Sequence, residues 1–336
     1  MRVEPRPSPY WRHDLTHCLH TAAGALLSAH GLDPLTVLGA GWGFRYVPGE
    51  VRREEYYFPG HEDDLFAGLA PYHPVSSRWH QPADAVEGWR QVRAALLRGS
   101  PVAVAADNFH LPFRPAYRDV HTNHLLVVDG FDDETGEVFV TDPVPPSFRG
   151  PIPLAALTAA RDSGNPVAHD RDLFFTANPI GNRWLEATIG PGVPRFDPDF
   201  VHHVIAENTR RFTDPAPSGV HSGLAGLHRF LTDAVDRFAD DPDAVDELFV
   251  VGGPMLAVTG LHAAFLTRAG REFDLPRLCE RGREVDRVAH HWSALRIAAA
   301  TARADRVAAV DGLRRRVSAL LDDLERAVGN LRPVPA

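Results

Sequence analysis

Cys18 stands in HDLTHCLHTAAGALLSAHG, residues 13–31, where His13, His17 and His20 crowd one thiol just ahead of a run of small apolar residues. Such a group can act as a nucleophile, bind a metal, or simply pack at a helix start. Thr16 is the expected N-cap, and Leu19, Ala22, Ala23, Leu26 and Leu27 follow the i, i+3, i+4, i+7, i+8 spacing of a helix buried on one side and closed by Gly31. Cys18 then falls in the first turn, where unpaired N–H groups and the positive end of the helix dipole stabilise a thiolate. Acyl chemistry needs three further parts: a base, a group that orients it, and donors for the developing oxyanion.

HLLVVDGFDDETGEVFVTDP, residues 124–143, supplies the first two. It reads as a hairpin, a Leu/Val run and a Val/Phe run around a polar turn with Gly136. A turn centred near Asp133 sets His124 directly opposite Asp142, with Cβ atoms about 5 Å apart on one face. A bulge or a one-residue slip would put them on opposite faces. His121 competes as the base, but lies three residues earlier and is expected to face away as a loop histidine. Asp132 and Asp133 read as turn residues.

A metal site is the rival reading of the histidines, since His13 and His17 are four apart. Thr16 as N-cap leaves His13 off the helix and no carboxylate cluster lies near, so no metal is expected and these side chains are assigned to solvent or substrate. Cys279, in LPRLCERG, is expected to be structural.

The elements that must position these residues divide in two. LTVLGAGWGFRYVPGE (35–50) is expected to be a loop broken by Gly39, Gly41 and Gly43. DAVEGWRQVRAALLRG (84–99) places Val86, Trp89, Val92 and Leu96 at helical spacing, and PVAVAAD (101–107) reads as a buried strand. Pro/Gly-rich IGPGVPRFDPD looks like a connection between domains. Beyond it, Leu224, Leu227, Leu231, Ala234 and Phe238 open a helical region with further helices over roughly 254–270, 275–300 and 305–329. The expected class is α+β, with a catalytic domain over 1–195 and a helical domain over 196–332.

Composition removes several function classes. The chain of 336 residues is 44% hydrophobic and carries a net charge of −9, which argues against general nucleic-acid binding. It contains no lysine, so all 35 basic residues are arginine, excluding Schiff-base chemistry and P-loop hydrolysis. No signal peptide or membrane helix is indicated and two cysteines make no disulfide framework, so a cytoplasmic location is expected. The arginines at 281, 283, 287, 303, 306 and 314–316 read as a solvated helix face or a dock for an acidic partner.

The ordered set HCLHTAAGALLSAHG, LGAGWGFRY, GSPVAVAAD, HLLVVDGFDDETGEVFVTDP and GGPMLAVTGLHAAFLTRAG with a later HHW resembles the butirosin biosynthesis protein H family. The resemblance implies a papain-like fold with Cys18 as nucleophile, His124 as general base and Asp142 as its orienter. It implies an acyltransferase that moves an acyl group from a carrier-protein thioester, its phosphopantetheine carried by the partner, to an amine, giving an amide or a lactam. No cofactor of its own is expected. Papain-like peptidases keep a glutamine about six residues before the cysteine, and here that position is Arg12. The oxyanion donors then come from the Cys18 N–H, from His13 or His17, or from the Gly41-Trp42-Gly43 backbone. A cysteine peptidase or amidase and a non-catalytic binding module of the same fold are the alternatives, and the long helices leave a homodimer open.

Overall fold

In the computed structural model the first half of the chain runs β1 (Arg2–Val3), α1 (Cys18–Ala29), α2 (Pro34–Leu38), β2 (Arg45–Tyr46), β3 (Val75–His80), α3 (Ala85–Leu97), β4 (Val102–Asp107), β5 (Asn123–Asp132), β6 (Glu137–Asp142), β7 (Phe148–Pro153), α4 (Leu154–Arg161) and β8 (Trp184–Ile189). It continues as α5 (Pro198–Thr213), β9 (His221–Ser222), α6 (Gly223–Arg237), α7 (Pro242–Glu272), α8 (Pro276–Thr301) and α9 (Arg306–Leu331). The structure describes residues 1–5, 10–48, 64–172, 176–215 and 219–331; Gly49 and Glu50 of the glycine-rich segment and residue 332 of the helical part lie outside them. The class is α+β.

The main sheet is antiparallel in the order β3-β8-β4-β5-β6-β7, with β1 added against β5. Both faces are covered, which is why β4 and β5 are apolar runs instead of alternating ones. Ala103, Ala105, Leu125 and Val127 share a core with Cys18, Leu19, Ala22 and Leu26 of α1. Val102, Val104, Leu126 and Val128 pack instead with Val92 and Leu96 of α3 and Leu157 of α4. Asp84 caps α3 by accepting from the Glu87 N–H at 2.8 Å, and Val86, expected on the buried stripe, is 80% exposed.

The start of α1 differs from expectation. His17 is the N-cap, with no side-chain cap bond, because Thr16 is committed to the preceding turn: its hydroxyl donates to the His13 carbonyl at 2.6 Å. The C-terminal end follows the glycine rule. Gly31 has φ +76°, its N–H reaches the Ser28 carbonyl, and the Leu32 N–H reaches the Leu27 carbonyl, both at 3.0 Å.

Residues 35–48 are not a plain loop. They hold α2, capped by Asp33, and β2, which pairs with β9. Ala40, Trp42, Phe44 and Tyr46 are buried in the helical core with Val204, Phe212, Phe230 and Met255, so this segment is the joint between the two halves. Gly39 is needed there, since a Cβ would lie 2.8 Å from the Leu261 carbonyl of α7. The long, paired α7 and α8 form the spine of the helical half. Among the described helices, α7 is long and apolar enough to cross a membrane, but 83% of its most apolar window is buried inside the fold. Arg281, Arg303 and Arg314 form ion pairs with Glu284, Asp246 and Asp236, as a solvated helix face would. Cys279 lies in the first turn of α8 with its thiol donating to the Thr267 carbonyl at 3.6 Å.

Candidate active site

His124 and Asp142 meet through a register that the hairpin turn alone would not give. At the turn Asp132 pairs with Glu137 and Phe131 with Val138; continued, this would set Asp142 opposite Val127, on the wrong face for His124. A bulge between Val128 and Gly130 shifts the ladder by one, so Val127 pairs with Thr141 and the place of Asp142 is opposite Leu126, whose face His124 shares. The pair is therefore diagonal, not directly opposed, and the bulge creates the shared face.

His124 Nε2 lies 2.7 Å from Asp142 Oδ2, with His124 2% and Asp142 0% exposed. The carboxylate fixes the imidazole with its proton on Nε2 and leaves Nδ1 as the basic nitrogen. Arg114, which no sequence signal marked, donates from Nη1 to the same Oδ2 at 3.1 Å and to the Val144 carbonyl at 3.0 Å. Oδ1 accepts the Val144 N–H at 3.0 Å. Burial alone would raise the Asp142 carboxyl, but the charge and hydrogen bond of His124, the Arg114 guanidinium and the Val144 N–H outweigh it and hold it below the ordinary carboxylate value. Arg114→Ala is expected to lower stability by about 3 kcal/mol by uncovering a buried carboxylate, read as a fall in the urea midpoint, with Arg114→Lys recovering part of it.

Cys18 is the first residue of α1 and 3% exposed. One groove is lined by Ala25 and Ala29 together with Val127 and Asp129, so the last turns of α1 lie against the middle of β5. Seven helical residues back from Ala25 cover about 10 Å, as do three strand residues back from Val127, which puts Cys18 level with His124 at the end of the sheet. They approach that end from different faces. α1 packs on the side of Leu125 and Val127.

His121 lies in the connection just before β5, as a loop histidine would, but it is not exposed. It is buried, with Nδ1 2.7 Å from Asp107 Oδ2, an oxygen that also accepts the Ser163 hydroxyl at 2.7 Å. Asp107 Oδ1 takes the N–H groups of Phe109 and Thr122, and the Phe109 ring stacks on His121 at 4.1 Å. Asp107 closes β4 opposite Asn123, a placement that pairing the two apolar runs would have suggested. Asp172 ties down the same corner by accepting the N–H groups of His121, Ala168 and His169. Burial would raise its carboxyl, but these three bonds pull it down to about 2.

The residues assigned to an oxyanion or substrate pocket scatter. His13 lines a groove with Gly260, Arg268 and Asp286 whose lining does not include Cys18. His17 holds its ring edge-on to His20 at 4.7 Å; neither of its ring nitrogens has a hydrogen-bond partner among the described residues, and burial drives its pKa well down. The Trp42 N–H is already used, donating to Asn208 Oδ1 at 3.0 Å, which removes it as an oxyanion donor. Gly41, Trp42 and Gly43 line a cavity of about 310 Å³ that touches α1 through His20 and Ala23, not Cys18.

No curated protein matches the chain. Residues 17–143 match the family model described as butirosin biosynthesis protein H, N-terminal, a span that opens one residue before Cys18, closes one after Asp142 and stops short of the helical half. That stretch, which carries Cys18, His124, Asp142 and Arg114, is similar to the butirosin biosynthesis protein H N-terminal family.

Proposed function

We propose that this protein is a cysteine acyltransferase of natural-product biosynthesis. The family match supports a biosynthetic role. The observation that carries the chemistry is the buried 2.7 Å bond between His124 and Asp142, level with a cysteine at a helix N-terminus. A helix-borne cysteine served by a sheet-borne histidine and carboxylate is also the ground for a papain-like assignment. In the first half-reaction the Cys18 thiol gives its proton to His124 Nδ1 as sulfur bonds to the acyl carbon of a thioester. The donor's C–S bond then breaks, and the departing thiolate takes that proton. In the second, an amine adds to the acyl-enzyme and loses a proton to His124. Cys18 leaves as a thiolate and is reprotonated, releasing an amide, or a lactam when the amine belongs to the acyl chain. The Cys18 N–H at the first helical position is the proposed oxyanion donor. The donor is an acyl thioester on a carrier protein's phosphopantetheine, and the protein brings no cofactor of its own.

Intact-protein mass spectrometry with an acyl thioester tests this. The expected result is a mass increment on the wild type, absent from Cys18→Ala, that disappears on adding an amine as the amide forms. Turnover without a Cys18-dependent adduct would overturn the covalent mechanism. Loss of the adduct to water alone, with amine making no difference, would make the protein an amidase.

A second reading concerns the base. His121 is paired to a buried carboxylate and precedes Asn123 and Leu125, the face toward α1. Should His121→Ala stop acylation while His124→Ala does not, the base is His121.

A further inference from the structure

We infer that the 310 Å³ cavity between the two halves is a binding site for an amphiphilic organic anion, its apolar body inside and its charged head at the rim. Interiors pack like organic crystals with few voids larger than a water molecule, and this volume is at the lower end of small-ligand pockets. The deep walls are apolar: Ala23, Leu38, Trp42, Leu69, Met255 and Val258. They are also fixed before any ligand arrives. The Trp42 indole N–H donates to Thr259 at 3.3 Å, its ring stacks on His262 at 5.1 Å, and Phe212 meets it edge-on at 4.7 Å. Gly41 keeps the wall open, since a Cβ there would lie 2.8 Å from Leu69 Cδ2.

Charge collects at the mouth. Arg45, Arg210, Arg211, Glu207 and Asp214 line it, with His20 at the α1 side. Arg210 is paired with Glu207, whereas Arg211 spends one nitrogen on the Gly68 carbonyl at 2.9 Å and Arg45 is exposed with no ion pair among the described residues. Among the described residues two guanidinium groups thus face one carboxylate, Asp214, together with the carbonyl end of α5. The excess favours an anionic head, and His20, kept neutral by burial, adds no charge at the other end. A carboxylate or a phosphate ester would satisfy the same arginines.

The inference does not depend on the covalent chemistry, because Cys18 is not in the lining; Cys18→Ala is expected to bind as the wild type does. Calorimetric titration of the full chain with octanoate, octyl phosphate and octan-1-ol tests it. Both anions are expected to bind at least about fivefold more tightly than the alcohol, and Arg45→Ala to erase most of that difference without changing alcohol binding. The tighter anion identifies the head as carboxylate or phosphate. Met255→Trp fills the cavity and is expected to abolish binding of all three probes, with Val258→Phe as the second filling variant should the first not fold. Equal affinity for alcohol and anions overturns the charged head. Binding that survives both filling variants, or no binding by any probe to the wild type, overturns the site.

Discussion

Asp142→Asn is expected to slow acylation of Cys18 by about 10²–10⁴-fold while the protein stays folded. The carboxylate accepts from three donors at once: His124 and Arg114 on Oδ2 and the Val144 N–H on Oδ1. An amide offers one acceptor and one donor. With its NH₂ in the place of Oδ2, it points donors at Arg114 and forces His124 to accept through Nε2, moving the ring proton to Nδ1, the nitrogen that must take the proton from Cys18. With its NH₂ in the place of Oδ1, it opposes the Val144 N–H. The first outcome removes the base, and the second loosens the ring. Arg114 also loses its counter-charge in a buried setting, at a cost of about 3 kcal/mol. Single-turnover acylation followed by quenched mass spectrometry, beside urea unfolding of the same sample, separates the two effects. A rate within about threefold of wild type in the folded variant would remove Asp142 from the mechanism.

What could be read beforehand follows from the range of the forces involved. The helix at residues 18–29, the strand 102–107 and the hairpin rest on local periodicity and turn chemistry, and they formed close to their expected limits. The His124–Asp142 contact was anticipated through a direct register, whereas it arises from a bulge at Asp129 that nothing local announced. Arg114 sits in the connection between β4 and β5 with no periodicity to mark it, and its role appears only once Asp142 is buried beside it. The segment 35–48 misled for a related reason. Its glycines look like loop punctuation, but Gly39 and Gly41 permit close packing against α7 and Leu69, contacts more than twenty residues away in sequence. The Gly41-Trp42-Gly43 backbone is one of the oxyanion donors the sequence leaves open, while the Trp42 N–H serves Asn208, 166 residues further on. His13 was drawn toward Cys18 by proximity along the chain, and the turn closed by Thr16 sends it toward the α7 and α8 groove instead.

That joint also sets how the fold responds to acid. Burial pushes several histidines down, among them His20 to about 3 and both His73 and His262 to about 4, with 3%, 2% and 0% of each of these residues exposed. Backbone carbonyls hold two of them, Thr36 for His73 and Gly39 for His262, and partly oppose the shift. In the unfolded chain each titrates near 6.5, so between that value and about 4 the unfolded chain binds protons that the folded one refuses. Their contribution is complete above about pH 6.5 and drains away as pH falls, by roughly 2 kcal/mol each at pH 5. Asp129 works in the opposite direction: burial raises it to about 6, so it favours the folded state as pH falls and returns roughly 1 kcal/mol at pH 5. The net loss from these four groups alone, roughly 4–5 kcal/mol, approaches the whole stability of an ordinary domain. The urea midpoint is therefore expected to drop steeply between pH 7 and pH 5, well above the range where Asp142 and Asp172 begin to protonate. His262→Gln keeps a donor for the Gly39 carbonyl and removes one titrating ring, so it should lessen the slope by about one proton's worth. A midpoint that stays level from pH 7 to pH 5 would mean that these rings accept protons without opening the joint between the sheet and the helices.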